Sequence, residues 1–294
     1  MAERFLVTGA TGKTGVYVVR QLLERGAPVR ALVHRADARS SELAAAGAEV
    51  VVADMLDLAA VGAAARDVTA AYFTYPIIPG LLGATAIFAQ AAAESGVGAV
   101  VNMSQISARR DAASNAARQH WLAERVLDWS PVAVTHLRPT FFAEWLITFY
   151  QADGTLPLPF GDGRHAPIAA EDQARVITAI LRDPVPHAGK VYRLFGPQEM
   201  NHHEIAAEMS AALGREVRYV PVSLDTFSEQ LRDRGFGEHI IQHLRAVAVD
   251  YRNGVFAGTN DVVRTIGGSE PLSVREFVTR NMQHYDDRST VDVR

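Results

Sequence analysis

The sequence predicts an α/β protein with a doubly wound parallel sheet and a smaller C-terminal lobe. Two observations predict the sheet: apolar runs alternate with helix-like segments through the first half of the chain, and a glycine-rich turn follows the first apolar run. A third observation predicts the lobe, because after Phe149 the rhythm gives way to a stretch rich in Pro and Gly, T-L-P-L-P-F-G-D-G-R. We therefore expect a single domain with a core of residues 1–150 and a substrate lobe of residues 151–294.

The first half contains six strand-like segments separated by helical ones. Gly26 and Gly47 stand where the first two helices should end, as is common after a helix C-terminus. The helix that closes at Gly47 is rich in alanine, as is a long helix that runs to Ser95, and a further helix is predicted from Asn115 to Trp129. The predicted strands are residues 5–7, 29–34, 49–54, 70–75, 99–104 and 132–139.

Composition excludes several classes of function. The chain of 294 residues has a net charge of -4, so it lacks the basic field that would recruit nucleic acid. It has no cysteine, which excludes disulfides, thiolate metal sites and Cys nucleophiles. Neither a signal peptide nor a long apolar run is apparent. We therefore expect a cytoplasmic protein that binds neither nucleic acid directly nor a membrane.

The segment V-T-G-A-T-G-K-T-G (7–15) raises the question of which phosphate it binds. Its G-K-T resembles the end of a mononucleotide P-loop, but that pattern requires a glycine where Val7 stands. The spacing of Gly9, Gly12 and Gly15, between a strand and a helix, is instead typical of a Rossmann-type dinucleotide turn. There the pyrophosphate lies against backbone N–H groups at the positive end of the helix dipole.

The residues after the second strand favour NADP(H) over NAD(H). An NAD site usually has an acid at this point, but here Arg35 follows Gly15 by twenty residues, and Lys13 and Arg39 add positive charge. The alternative is that Arg35 is an ordinary solvated residue. Asp54 is a candidate acceptor for the adenine amino group, or else a helix cap. The predicted cofactor-binding residues are Gly9, Thr11, Gly12, Lys13, Thr14, Gly15, Arg35, Arg39, Asp54, Met55, Thr74 and Tyr75.

Seven segments, in order along nearly the whole chain, resemble the NmrA-like family of atypical short-chain dehydrogenase/reductases, in particular its quinone and triphenylmethane-dye reductases. The resemblance implies an extended Rossmann fold with NAD(P) in the first lobe and a substrate under the second. It does not imply one function, because the family also contains nucleotide-sensing regulators. The segments are V-T-G-A-T-G-K-T-G, V-A-D-M-L-D, N-M-S, H-W-L-A-E-R-V-L, L-R-P-T-F-F-A-E-W, G-D-G-R-H-A-P-I-A-A-E-D and Y-R-L-F-G-P.

The usual catalytic pair of short-chain dehydrogenases, Tyr-x-x-x-Lys, is absent. The only lysines are Lys13 and Lys190, and neither follows a tyrosine at that spacing. The resemblance assigns the family's serine to Ser104 and an H-x-x-x-E pair to His120 and Glu124. Because these two lie four residues apart on one helix, Glu124 could orient the imidazole of His120. The alternative is an ordinary surface pair.

Aromatic residues follow the sixth strand, at the edge of the sheet where ligands of such folds bind. Phe141, Phe142 and Trp145, together with Tyr75, are candidates for a flat apolar pocket. Alternatively, the cluster is plain core. The predicted substrate-contacting residues are Pro76, Phe141, Phe142, Trp145 and Ile168.

Two further pairs of histidines are not accompanied by the residues that would complete a metal site. His239 and His243 have zinc-ligand spacing, but Ile240 replaces the glutamate of H-E-x-x-H. His202 and His203 are adjacent on a predicted helix and so point in different directions. For both pairs we expect a solvated role and no metal.

Two hypotheses about function follow. The first is an NADPH-dependent reductase of a small conjugated or aromatic acceptor such as a quinone, because such an acceptor takes hydride without a strong acid. The second is a noncatalytic NADP(H) redox sensor that acts through a regulatory protein partner. An isomerase is disfavoured without the acid/base pair. The sequence specifies neither the substrate nor whether the chain forms a homodimer.

Overall fold

The computed structural model describes residues 3–286, and all structural statements below refer to that part of the chain. The strands are β1 (Phe5–Val7), β2 (Val29–Val33), β3 (Glu49–Val52), β4 (Ala70–Phe73), β5 (Ala99–Met103), β6 (Ala133–Pro139), β7 (Thr155–Leu158), β8 (Val191–Leu194) and β9 (Arg218–Pro221). The helices are α1 (Gly15–Glu24), α2 (Ala38–Ala45), α3 (Leu58–Ala65), α4 (Leu81–Glu94), α5 (Asn115–Asp128), α6 (Glu144–Phe149), α7 (Ala170–Arg182), α8 (His202–Leu213), α9 (Leu224–Asp233), α10 (Glu238–Arg252), α11 (Val262–Gly267), α12 (Val274–Arg280) and α13 (Gln283–Asp286).

Seven strands form one parallel sheet in the order β3-β2-β1-β4-β5-β6-β8, which confirms the predicted doubly wound fold. Phe5 of β1 pairs with Val29 on one side and with Ala70 on the other. The strand order therefore reverses between β1 and β4. In such sheets the loops at this reversal diverge and leave a crevice for a ligand at the carboxyl ends of the strands.

Helices cover both faces of the sheet. β1, β2, β4 and β5 are buried at every residue, as expected for parallel strands between two helical layers. Apolar residues of α1, α7 and α11 cover one face, and those of α3, α4 and α5 cover the other. Two separate apolar layers thus fix the strands of the sheet, and with them the glycine-rich turn after β1 and the loop after β4.

The chain returns to the sheet after residue 150. β8 is the seventh strand, paired with β6, and α7 packs against α1 and the sheet. β8 is not among the strands predicted from the sequence, because this edge strand is short and mostly exposed and so has no apolar run. The division of the chain into a core and a substrate lobe at residue 150 stays a prediction. In the structure, β8, α7 and α11 belong to the sheet and its helical layers although they follow residue 150.

A third apolar cluster lies outside the sheet. It contains the parallel pair β7 and β9 and the apolar faces of α6, α8, α9, α10 and α12. Aromatic rings dominate its centre, where Phe160 and Phe256 each stack on Tyr251. Since α10 packs against α5, this cluster lies next to the carboxyl ends of β5 and β6.

Candidate functional site

The glycine-rich turn connects β1 to α1 and lies against the end of β4. The Thr8 hydroxyl donates to the Thr74 carbonyl at 3.0 Å, and the Thr74 N–H donates to the Thr8 hydroxyl at 2.9 Å. Gly9 has φ +55, and a Cβ there would lie 2.7 Å from Cγ2 of Thr74. At Gly15 a Cβ would overlap the Gly9 carbonyl. Glycine is therefore required at both positions.

The N-terminus of α1 is open to an anion. Thr14 makes no side-chain cap, and among the described residues the N–H groups of Lys13, Thr14 and Gly15 have no backbone partner. Unpaired N–H groups at the start of a helix are the usual donors to a phosphate. The turn therefore fits the pyrophosphate of a dinucleotide, as the sequence predicted.

A cleft of about 810 Å³ extends from this turn across the carboxyl ends of β2 and β4. Asp54 lies on its wall and accepts a hydrogen bond from the Leu56 N–H at 2.9 Å. The cap of α3 is Asp57, which accepts from Ala59 and Ala60, so the alternative interpretation of Asp54 as the cap is wrong. The cleft brings together all the predicted cofactor-binding residues: Gly9, Thr11, Gly12, Lys13, Thr14, Gly15, Arg35, Arg39, Asp54, Met55, Thr74 and Tyr75.

The outer end of the cleft carries both predicted arginines and an acid that the sequence analysis overlooked. Asp37 caps α2 through the Ser40 N–H and also pairs with Arg39 at 2.7 Å, while Arg35 lies 3.8 Å away. These partners hold the pKa of the Asp37 carboxyl below its usual range, with the Arg39 hydrogen bond as the largest cause. The two arginines outnumber the acid, so this end keeps a net positive charge.

A smaller pocket of about 180 Å³ continues inward from the cleft. The two cavities share Thr74, Tyr75, Pro76, Met103 and Phe142. The predicted residues Ser104, His120, Phe141 and Trp145 also line the inner pocket. On its lobe side the wall consists of His243, Leu244, Val247 and Phe256.

Ile168 does not lie on the pocket wall. It is fully buried in the core beside the sheet, and its N–H donates to the Phe141 carbonyl at 3.2 Å. The predicted substrate contact is therefore corrected: Ile168 supports the backbone of the aromatic segment through a bridge to Phe142.

Aromatic stacking sets the shape of the inner wall. The rings of Phe141 and Trp145 stack at 5.8 Å, and Trp145 stacks on Phe149 at 5.2 Å. The Lys13 ammonium lies 5.9 Å from the Trp145 ring, so a cation–π contact connects the glycine turn to this wall. The aromatic cluster is thus both core and pocket, with Phe141, Phe142 and Trp145 on the pocket wall.

Ser104 and His120 lie together in the inner pocket. The Ser104 hydroxyl is buried without a hydrogen-bond partner among the described residues. His120 is 6% exposed, and burial lowers the pKa of its imidazole to about 4. The imidazole is therefore neutral near pH 7 and can donate or accept a hydrogen bond, but it is not a strong acid.

Glu124 does not orient His120. Both carboxylate oxygens of the buried Glu124 accept from the guanidinium of Arg138, at 2.8 and 2.5 Å. Within the described part of the chain, no hydrogen bond joins Glu124 to His120. The predicted pair is therefore wrong in its role, because a neighbouring strand supplies a cation that neutralises the carboxylate more strongly than an imidazole could.

The structure places two of the four dismissed histidines in the interior. His202 is fully buried and stacks on His165 at 5.2 Å, and His243 is 6% exposed in the inner pocket. The expectation of a solvated role is therefore wrong for both. A signal was present for His243, since Val247 follows one helical turn later and also lines the pocket.

Glu144 is a buried carboxyl between the glycine turn and α7. One oxygen accepts from the Ala170 N–H at 2.9 Å, and the other has no partner among the described residues. Burial raises the pKa of this carboxyl to about 7, although the Ala170 hydrogen bond and the charge of Lys13 oppose the shift. Glu144 was not among the predicted site residues, because the burial of its carboxyl depends on packing between segments that are distant in the sequence.

The described residues contain no cluster of three or more metal-ligating side chains, and none of their helices is both long and apolar enough to cross a bilayer.

The sequence model of the NmrA-like family matches residues 1–273. The chain is 31% identical to an NAD(P)H azoreductase of Xenophilus azovorans, over 92% of this chain and 96% of the relative. It is 27% identical to quinone oxidoreductase 2 of Escherichia coli (strain K12), over 89% of this chain and 93% of the relative. The solved structure of NmrA, a negative transcriptional regulator, in complex with NADP superposes with a TM-score of 0.84 at 17% identity, covering 99% and 98% of the two chains. At that identity the likeness shows the fold alone.

Proposed function

Since the chain belongs to the NmrA-like family, we propose that this protein is an NADPH-dependent reductase of small conjugated or aromatic acceptors such as quinones. The observation that carries the proposal is the ring-lined inner pocket, which opens directly into the dinucleotide cleft. Both similar relatives are named as reductases, an azoreductase and a quinone oxidoreductase, which favours an enzyme over a sensor.

In this proposal the cleft binds the nucleotide along its length. The N–H groups at the start of α1 bind the pyrophosphate, and Arg35 and Arg39 bind the 2'-phosphate. Asp54 accepts from the adenine amino group. Thr74 and Tyr75 then contact the nicotinamide half where the cleft meets the inner pocket.

The inner pocket determines which acceptors fit. A cavity of 150 Å³ is enough for benzene, so the pocket of about 180 Å³ accommodates a single aromatic ring. Phe141 and Trp145 present ring faces against which a flat acceptor packs. We therefore expect one-ring quinones to be better acceptors than large dyes.

Hydride transfer to a quinone depends more on how the quinone is positioned than on the strength of a proton donor in the pocket. A reduced nicotinamide bound in the cleft would supply a hydride, which with one proton from solvent would convert the quinone to the hydroquinone and leave the oxidised nucleotide. The pocket residues hold the ring in line and exclude bulk water, and such orientation can contribute ~7 kcal/mol or more of the barrier reduction. The neutral groups of Ser104 and His120 hydrogen-bond to the acceptor.

The redox-sensor alternative rests on the missing Tyr-x-x-x-Lys pair. A sensor would prefer one redox form of the nucleotide and change its affinity for a regulatory partner with that form. A homodimer and a cytoplasmic location fit either function and stay proposals.

Calorimetric titration with NADPH, NADP+, NADH and NAD+ tests the cofactor, and loss of NADPH absorbance on addition of an acceptor tests the reaction. We expect NADPH to bind and to be oxidised by 2,6-dimethyl-1,4-benzoquinone. A panel of a quinone, an azo dye and an enone that leaves bound NADPH unoxidised would contradict the reductase and favour the sensor.

A further inference from the structure

His243 is held at the lobe side of the inner pocket by a hydrogen bond from another element. Its Nδ1 lies 2.8 Å from the hydroxyl of Ser114, the residue that precedes α5. Since Nδ1 is bonded to Ser114, Nε2 is the ring nitrogen left for another partner. Among the described residues Nε2 has no hydrogen-bond partner, and the imidazole lines the pocket.

The partners of Ser114 specify which nitrogen of His243 carries the proton. The Ser114 hydroxyl oxygen caps α5 by accepting from the Ala117 N–H at 3.0 Å. Ser114 is fully buried, and the only described acceptor for its hydroxyl hydrogen is Nδ1 of His243. Because an undonated buried hydroxyl is costly, the hydroxyl donates to Nδ1, and the proton of the neutral imidazole resides on Nε2.

The surroundings keep this imidazole neutral. Burial, with a smaller effect of the nearby imidazoles of His120 and His239, lowers the pKa of His243 to about 3. A neutral Nε2–H near pH 7 donates a hydrogen bond without giving up its proton. Among the described residues it is also the ring nitrogen of His243 that has no hydrogen-bond partner.

We propose that Nε2–H of His243 donates a hydrogen bond to an oxygen of the acceptor in the inner pocket, and that Ser114 positions it by selecting the tautomer. This proposal rests on the proposed reductase function and narrows its substrate class to one-ring acceptors that carry a carbonyl oxygen. A donor at this oxygen favours the reaction because negative charge develops there as hydride arrives. The Nε2 proton stays on His243.

Two substitutions at residue 243 separate donation from packing. His243→Leu removes the donor, whereas His243→Gln retains an N–H at similar reach. With 2,6-dimethyl-1,4-benzoquinone and saturating NADPH, we expect kcat/KM to fall about tenfold in His243→Leu and to stay within about twofold of wild type in His243→Gln. Equal loss in both variants, or no loss in either, overturns the proposal.

His239→Gln is the matched control, one helical turn away on α10 and outside the inner pocket. It should leave kcat/KM unchanged. Melting temperature and NADPH affinity are measured for every variant, and both should match the wild type if the effect is on the acceptor alone. A comparable fall in His239→Gln would mean that any change in α10 damages turnover, and would count against donation.

The tautomer of His243 can be measured without any turnover of the acceptor. Long-range ¹⁵N NMR at pH 7.5 should show Nε2 of His243 protonated and Nδ1 not, and Ser114→Ala should shift the population toward the other tautomer. Addition of the quinone should move the Nε2–H resonance. A proton on Nδ1, or an Nε2–H resonance that the quinone leaves unmoved, overturns the inference even if the wild type is active. Conversely, an inactive wild type that shows both effects contradicts the reductase and not the hydrogen bond.

Discussion

Arg35 and Arg39 are the residues to which the proposal assigns the preference for NADPH. Both stand at the outer end of the cleft and share Asp37, which leaves one positive charge in excess. That excess is modest, since the Arg35 side chain is 63% exposed. Because exposed charges are screened by water and salt, the preference for NADPH over NADH should be measurable but limited.

Arg35→Ala should weaken NADPH binding about five- to tenfold and leave NADH binding within about twofold, because only NADPH carries the 2'-phosphate. Calorimetry with both nucleotides measures the two affinities. Arg182→Ala, an exposed arginine at the end of α7, should change neither. Equal losses for NADPH and NADH would contradict the assignment of Arg35 to the 2'-phosphate.

Glu144 makes stability depend on pH in an unusual direction. Its folded-state pKa of about 7 lies above the ordinary 4.5, so ionisation opposes folding. The stability that protonated Glu144 contributes should therefore be complete below pH 4.5, be lost as the pH rises to 7, and stay lost above pH 7, whatever other groups do over this range. Glu144→Gln should therefore be stabilising at pH 8 by on the order of 3 kcal/mol relative to its effect at pH 4.5, measured by urea unfolding. An equal effect at both pH values would show that the carboxyl is not raised.

The sequence predicted which residues line the cleft much better than which residues pair with one another. The glycine turn and strand ends are local signals, and the topology brings them together wherever the fold forms. The partner of Glu124 is Arg138 on β6, and Ser114 meets His243 across 129 positions of sequence. Side-chain direction on one helix does not reveal such neighbours.

At the scale of elements, α10 determines how the pocket is closed. An ion pair secures it to the loop after β5: Asp250, only 4% exposed at its side chain, accepts from Arg109 at 2.6 and 2.9 Å. The positions of His243 and Val247 on the pocket wall depend on this attachment. The sequence places residues 239–243 on a helix but gives no bounds for α10, because the lobe lacks the strand-helix rhythm that made the predictions in the first half possible.

Arg109→Met should leave a buried carboxylate unpaired and destabilise the fold by about 2 kcal/mol, less than for a fully buried pair because Arg109 is 35% exposed. KM for the quinone should rise more than KM for NADPH, since α10 does not reach the nucleotide cleft. The double variant Arg109→Met/Asp250→Asn should recover most of the stability. Unchanged unfolding midpoints in the single variant would contradict a structural role for the pair.

At the scale of the whole molecule, buried histidines should make the protein labile to acid. Burial lowers the pKa of His120, His165, His202 and His243, so the folded state resists protons that the unfolded state takes up below pH 6.5. Stability that is complete above pH 6.5 is therefore lost as the pH falls. Glu144 acts in the opposite direction, which leaves a net uptake of about three protons on unfolding.

Between pH 6 and 5 the free energy of unfolding should fall by roughly 4 kcal/mol, a large part of the typical stability of a domain. Urea denaturation at pH 7.5, 6 and 5 measures this slope. His203→Gln should leave the slope unchanged, because His203 is exposed while its neighbour His202 is buried. A stability that is flat over this range would contradict the neutral burial of these side chains.

The two cavities share part of one wall, but only the inner pocket is also lined by residues of the C-terminal half of the chain. The nucleotide cleft uses residues no later than Phe142, whereas the inner pocket takes one wall from α10, a helix of 15 residues, and from Phe256. Acceptor choice and cofactor choice can therefore diverge independently. Substituting a few side chains of α10 would change the range of acceptors without changing the nucleotide that is used. New reductases could therefore be engineered on this fold by altering α10 alone.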